Sequence, residues 1–128
     1  MDKQNHWVLL EHTCAPDDPL GVHFDLLLED KGFCRSWRLL TFPALGLPAQ
    51  KVVALPPHRL AWLEIQEADL TKGRGKVRRL IGGIYLGELP DDDIHPIRIR
   101  LHSNEIVGTL EIKNSLCQLF SLSESDFD

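Results

Sequence analysis

His23 and Asp25 stand two positions apart in the run His23-Phe24-Asp25-Leu26-Leu27-Leu28-Glu29. In an extended chain, side chains two apart share a face, so His23, Asp25, Leu27 and Glu29 point one way and Phe24, Leu26 and Leu28 the other. The second set can pack a core. The first carries an imidazole and a carboxylate roughly 6.5–7 Å apart at the backbone, close enough for their tips to meet on one divalent ion. An isolated pair of this kind is more often simply solvated, so the ligand reading depends on what else reaches it. His12, at the exit of the strand-like run Trp7-Val8-Leu9-Leu10-Glu11, offers a second imidazole. Two neutral imidazoles and one carboxylate are a common donor set for Mn²⁺, Zn²⁺ or Fe²⁺. His58, directly after Pro56-Pro57, is a further histidine able to hold or protonate a bound phosphate. His6, His95 and His102 have weaker cases: before the first strand, after an acidic turn, and at a hairpin tip.

Five of the 14 Lys and Arg residues fall between Lys72 and Arg79, the only basic cluster in the chain. If that segment is extended, Arg74, Lys76 and Arg78 line one face and, with Lys72, suit a phosphate backbone. Basic protection of an exposed strand edge accounts for the same residues equally well. The Gly73-Arg74-Gly75 pair lacks the third glycine and the helix of a dinucleotide fingerprint. Asp91-Asp92-Asp93 follows Pro90 without calcium-loop spacing, and reads as a solvated turn.

These residues need a scaffold, and turn chemistry supplies its outline. Trp7 to His12 is a short strand, Thr13 to Gly21 a loop rich in Pro and Asp, and Asp30-Lys31-Gly32 a turn that returns the chain through Phe33 to Leu40 as a hairpin. Phe42 to Pro57 is loop with an edge strand at Val52 to Leu55, and His58 to Ile65 is a strand with a short helix as the competing reading. Lys76 to Ile81 and Ile84 to Leu86 are two further short strands. Ile97 to Leu101 and Ile106 to Ile112 form the clearest hairpin, with Ile97, Ile99 and Leu101 inward. Many short strands with little helix imply a mainly β fold, a compact and mostly antiparallel β-barrel. The expected organisation is one domain over residues 1–120 and an acidic flexible tail over 121–128.

The 128 residues carry a net charge of −5 and a pI near 5.6, which argues against a general nucleic-acid coat protein. Cys14, Cys34 and Cys117 are odd in number and lack metal-type spacing, as suits reduced thiols in a cytoplasmic protein. Neither a signal peptide nor a membrane span is expected.

The order of these stretches resembles the 3′-phosphoesterase domain found at the N-terminus of bacterial DNA ligase D and in small stand-alone relatives. The similar stretches are the His12 strand, HFDLLLE from His23 to Glu29, Ser36-Trp37, HRLAW from His58 to Trp62, GRGKV from Gly73 to Val77, and the hairpin with Glu105 to Leu110. Together they span Trp7 to Lys113. The resemblance implies trimming, in DNA repair, of nucleic-acid 3′ ends that carry a phosphate or a ribonucleotide, leaving a 3′-OH for a separate ligase or polymerase. It implies a divalent metal, manganese first with zinc the alternative, held by His12, His23 and Asp25. It also puts His58 on the phosphate, which completes the catalytic set His12, His23, Asp25 and His58. Nucleic-acid contacts are expected from His58, Arg59, Lys72, Arg74, Lys76 and Arg78. This chain departs from the ligase-fused branch at Leu27, where that branch has arginine, and at Trp62, where it has tyrosine. The interval from His12 to His23 is also longer. A leucine cannot clamp a phosphate, so Arg59 or Arg74 is expected to supply the missing charge. The alternative is a catalytically weak or inactive module of the same fold that binds DNA ends or a repair protein.

Overall fold

The computed structural model describes residues 4–15, 18–70 and 73–121, with the side chains of 14, 15 and 18–20 excepted. The strands, in chain order, are β1 (Asn5–Ala15), β2 (Asp18–Asp30), β3 (Phe33–Leu39), β4 (Gln50–His58), β5 (Glu67–Asp69), β6 (Lys76–Leu86), β7 (Ile97–His102), β8 (Val107–Lys113) and β9 (Leu116–Phe120). One 3₁₀ turn, Leu60–Leu63, interrupts them. Every pairing is antiparallel, in the order β1-β2-β3-β4-β9-β8-β7-β6, and β1 also pairs with β6, so the sheet closes into a ring. The short β5 lies outside the ring, on the first residues of β6. This is the expected mainly β, antiparallel barrel.

Local chemistry sets the registers that matter for the site. Lys31 and Gly32 both have positive φ, 51° and 95°, as a two-residue hairpin turn between right-twisted strands demands. That turn locks Asp30 opposite Phe33 and, counting back along both strands, Asp25 opposite Arg38. The β1–β2 hairpin is longer than expected. Its strands run on to Ala15 and from Asp18 through most of the anticipated Thr13–Gly21 loop, with an irregularity between Thr13 and Ala15, and they place His12 opposite His23.

Two apolar layers result. Trp7, Leu9, Leu26, Leu28, Trp37, Leu39, Ile81, Tyr85, Ile99 and Leu101 fill the barrel interior. Val8, Leu10, Leu27, Cys34 and Val77 form a smaller cluster on the outer face, under Trp62, Leu63 and Leu70. The wall made by β1, β2 and β3 is therefore buried on both sides, which explains why the centre of β2 is almost continuously apolar. Burial also pushes the thiols of Cys34 and Cys117 up to about 11 and about 12, so neither is a ready nucleophile.

Several expected boundaries move. His58 to Ile65 is not a strand: beyond the barrel rim an extended chain would carry Trp62 and Leu63 into solvent, whereas the tight turn folds them back onto the outer cluster. Gly82 and Gly83 do not separate two segments but lie inside β6, where a Cβ on Gly83 would run into the carbonyl oxygen of His102. The anticipated edge strand grows into β4, bonded to β3 and, at Gln50 and Lys51, to β9. The strands β5 and β9 have no counterpart in the sequence reading. Lys72 and residues 122–128, most of the expected tail, lie outside the described residues. Among the described residues, no helix is long and apolar enough to cross a membrane.

Candidate metal centre and phosphate cleft

The β1–β2 register and strand alternation bring His12, His23 and Asp25 to the outer face of the wall. One donor atom from each lies within 4.8 Å of the others, and among the described residues this is the only such group. His23 Nε2 is 3.0 Å from His12 Nδ1 and 3.8 Å from Asp25 Oδ1, and His12 Nδ1 is 3.8 Å from Asp25 Oδ2. Neighbouring ligands on one ion, each about 2.0–2.2 Å from it, stand roughly 3–3.6 Å apart at octahedral or tetrahedral angles. The imidazole pair falls within that spacing, and the two distances to Asp25, at 3.8 Å, lie just beyond it, so a small inward turn of the carboxylate completes the set.

Protonation follows from their partners. His12 Nε2 lies 2.8 Å from the carbonyl oxygen of Arg74, which can only accept, so Nε2 carries the proton and Nδ1 presents its lone pair. Orientation of a ligand histidine by a backbone carbonyl is the usual outer support of a metal site. The Asp25 side chain is 9% exposed, and its Oδ1 accepts no hydrogen bond from the described residues. Burial raises the Asp25 carboxyl above its ordinary value, against the opposing pull of His23, Arg38, His12 and His58. A buried carboxylate oxygen without a donor, beside two imidazoles, fits a cation as its missing partner.

Above this floor lies an open cleft of about 540 Å³ between the wall and the chain that covers it. Its lining includes His12, Asp25, Arg38, His58, Arg59, Trp62 and Arg74, with Leu10, Leu55, Leu70 and Val77 as apolar ground. His58 is fixed at one nitrogen. Its Nδ1 lies 2.8 Å from Ser36 Oγ and 3.1 Å from the Pro56 carbonyl oxygen, to which Ser36 Oγ also donates at 3.0 Å. A carbonyl this close requires the proton on Nδ1, which leaves Nε2 as the ring nitrogen for a ligand.

The expected site residues are thus not all together. His12, Asp25, His58, Arg59 and Arg74 line the cleft, and the buried His23 joins them through His12 and Asp25. Lys76 and Arg78 flank Val77, which faces the cleft, so alternation turns them to the other face of β6. There they pair with Asp69 at 3.8 Å and Glu11 at 3.2 Å. Position 27, the expected seat of a phosphate-clamping cation, is the fully buried Leu27 of the outer cluster. Glu29 shares its face but serves the start of β1, taking His6 N and Nδ1 at 2.9 and 3.0 Å. The acidic turn is closed by Asp92, which accepts from the backbone N–H groups of Ile94 and His95.

Two residues of the site have no role in the sequence reading. Ser36 is buried and holds His58; Arg38 stands opposite Asp25 with Nε 3.9 Å from Oδ1. Both follow from the β2–β3 turn, since Ser36 and Arg38 alternate onto the face of Asp25.

A scan against models of protein families matches none of them to this chain, and a comparison with curated proteins gives no match either.

Proposed function

We propose that the chain is a metal-dependent phosphoesterase that removes the phosphate from nucleic-acid 3′ ends. The observation that carries this reading is the convergence of His12, His23 and Asp25 at the floor of a cleft whose remaining polar lining is cationic or imidazole: Arg38, His58, Arg59 and Arg74. A dianionic terminal phosphate matches that lining, and the resemblance described above points to the same substrate.

His12 Nδ1, His23 Nε2 and an Asp25 carboxylate oxygen would hold the ion, Mn²⁺ first and Zn²⁺ as the alternative. The ion supplies activation of water and withdrawal of charge from the phosphoryl oxygens. Binding it requires the proton between His23 Nε2 and His12 Nδ1 to move to His23 Nδ1, a tautomer change that leaves the imidazole neutral and turns its Nε2 lone pair to the ion. In hydrolysis, water adds to phosphorus, the bond from phosphorus to the 3′ oxygen breaks, and that oxygen takes a proton to become the 3′-OH. His58, locked through Nδ1 by Ser36 and Pro56, offers Nε2 to a phosphoryl or leaving oxygen. Arg59 and Arg74 add positive charge at the rim. Lys76 and Arg78, already ion-paired on the other face, contribute little, so recognition centres on the terminal phosphate rather than on a long backbone track.

The test is metal analysis of the purified protein together with an assay on a DNA primer ending in a 3′-phosphate. Mn²⁺-stimulated release of phosphate, lost in His12→Ala and strongly lowered in His58→Ala, is expected. Bound metal without turnover under any divalent ion would replace the enzyme by an end-binding module of the same fold.

A further inference from the structure

We propose that Arg38 is the residue that grips the phosphoryl group in the cleft, so that the clamping cation comes from β3, across the sheet from Asp25, and not from β2. The inference rests on the reading of the site as a phosphate cleft and names the contact within it.

Three cleft arginines compete for the role, and they differ in how firmly the chain holds them. Arg59 is exposed and precedes the 3₁₀ turn, outside any strand. Arg74 is exposed and lies outside any strand, between Gly73 and Gly75, both at positive φ. Arg38 sits in β3 with strands on both sides, opposite Asp25 in β2 and Val53 in β4. Its side chain is 27% exposed, beside an Asp25 side chain at 9%, so the aliphatic stem is covered while the head reaches the cleft. Donors that are fixed before the substrate arrives need not be ordered during the reaction, and they contribute most to binding and to charge stabilisation.

The chemistry suits a phosphate. A guanidinium carries five donors in a planar fork, so a contact from Nε toward Asp25 and a two-pronged contact to phosphoryl oxygens can coexist. Nε is 3.9 Å from Asp25 Oδ1, which puts the fork next to the metal ligands, where one phosphoryl group can meet both. A cation at position 27 has no such access, because Leu27 is fully buried among Val8, Leu10 and Val77. The expected charge is therefore present in the site, one strand away from where the resemblance places it.

The role separates from a structural one by its opposite effects on two ligands. As a phosphate clamp, Arg38 repels the metal ion weakly and attracts the phosphate; as a neutraliser of Asp25 alone, it affects only the ion. The experiment titrates the full chain with Mn²⁺ by calorimetry, then titrates the Mn²⁺-saturated protein with inorganic phosphate and with thymidine 3′-monophosphate. Wild type, Arg38→Gln and Arg38→Lys are compared, each checked for folding by circular dichroism. For Arg38→Gln the expected result is phosphate binding weakened on the order of 10–100-fold, as for loss of a charge-assisted hydrogen bond, with Mn²⁺ affinity equal to or tighter than wild type. Arg38→Lys should fall between, since it keeps the charge without the fork. Phosphate affinity of folded Arg38→Gln within about twofold of wild type overturns the inference, as does a wild type that binds no phosphate; twofold is well below the loss of even a weak charged hydrogen bond. The parent reading fails separately. If wild type binds no Mn²⁺ but still holds phosphate through Arg38, the metal is refuted and the clamp stands.

Discussion

Replacing Asp25 by asparagine should move two properties of the protein in opposite directions. The substitution keeps the side-chain volume and removes the one negative charge among the three proposed ligands. Two imidazoles remain, 3.0 Å apart, and the loss of the anionic ligand should lower Mn²⁺ affinity by at least 100-fold, beyond the 10–100-fold typical of losing an outer-sphere partner. The metal-free fold should become more stable. Burial raises the Asp25 carboxyl despite the nearby Arg38 and imidazoles, so the net environment already disfavours the ionised form. An acid whose folded value lies above its unfolded value gives its full stability below the unfolded value and loses it as pH rises through the window between the two. Above that window the loss is complete in wild type and absent in Asp25→Asn, and at acid pH below it the two proteins should converge. A gain of about 0.5–2 kcal/mol, typical of relieving a strained functional site, corresponds to a few degrees in melting temperature. Thermal unfolding in chelator above and below that window, repeated at Mn²⁺ a hundredfold above Kd, measures all of this. Wild type should gain about 2.7 kcal/mol from the ion and the variant almost none. Equal stabilisation of both by Mn²⁺ would remove Asp25 from the ligand set, and a variant less stable than wild type in chelator would make the carboxylate structural.

Ser36→Ala should leave the Mn²⁺ Kd unchanged and lower kcat about 10-fold, because it frees His58 Nδ1 from the hydroxyl 2.8 Å away; steady-state kinetics beside metal titration reads both. Lys76→Glu combined with Arg78→Glu should change KM for a 3′-phosphorylated primer by less than about threefold and leave its salt dependence intact, whereas Arg74→Ala should weaken binding and flatten that dependence. Gly83→Ala should cost more than about 2 kcal/mol in urea unfolding, because the added Cβ meets the His102 carbonyl oxygen, which also accepts from Trp7 Nε1 at 3.3 Å.

How far the site could be read from the chain depends on where each contact originates. His23 and Asp25 were visible because period-two alternation is a local property. Arg38 is equally within reach of local reasoning: the Lys31-Gly32 turn fixes the hairpin register, and the register puts Arg38 opposite Asp25. His12 came from its place at a strand end, and only the β1–β2 ladder shows it facing His23. The support of His58 by Ser36 was not legible, since the β3–β4 register shifts between Cys34 and Ser36. Taking Arg74, Lys76 and Arg78 as one stripe assumed a uniformly extended segment. The chain turns at Gly73 and Gly75, so Arg74 falls on the cleft side and the other two do not. The strand expected over His58 to Ile65 failed for a tertiary reason: the outer cluster needs Trp62 and Leu63, and no local pattern announces a second apolar layer outside a barrel.

That second layer divides the site by origin. The proposed metal ligands all belong to one continuous hairpin, from His12 to Asp25, whereas most of the phosphate-facing groups arrive with the covering chain between Pro56 and Gly75. The hydrogen bond from His12 Nε2 to the Arg74 carbonyl joins the two halves. Ion capture and the Arg38 clamp thus belong to the wall itself, while the rest of substrate recognition is encoded by a separate overlay docked on it. An overlay of this kind can be exchanged for another of similar length while the hairpin beneath it stays as it is, so one metal-holding wall can serve different phosphate-bearing ligands.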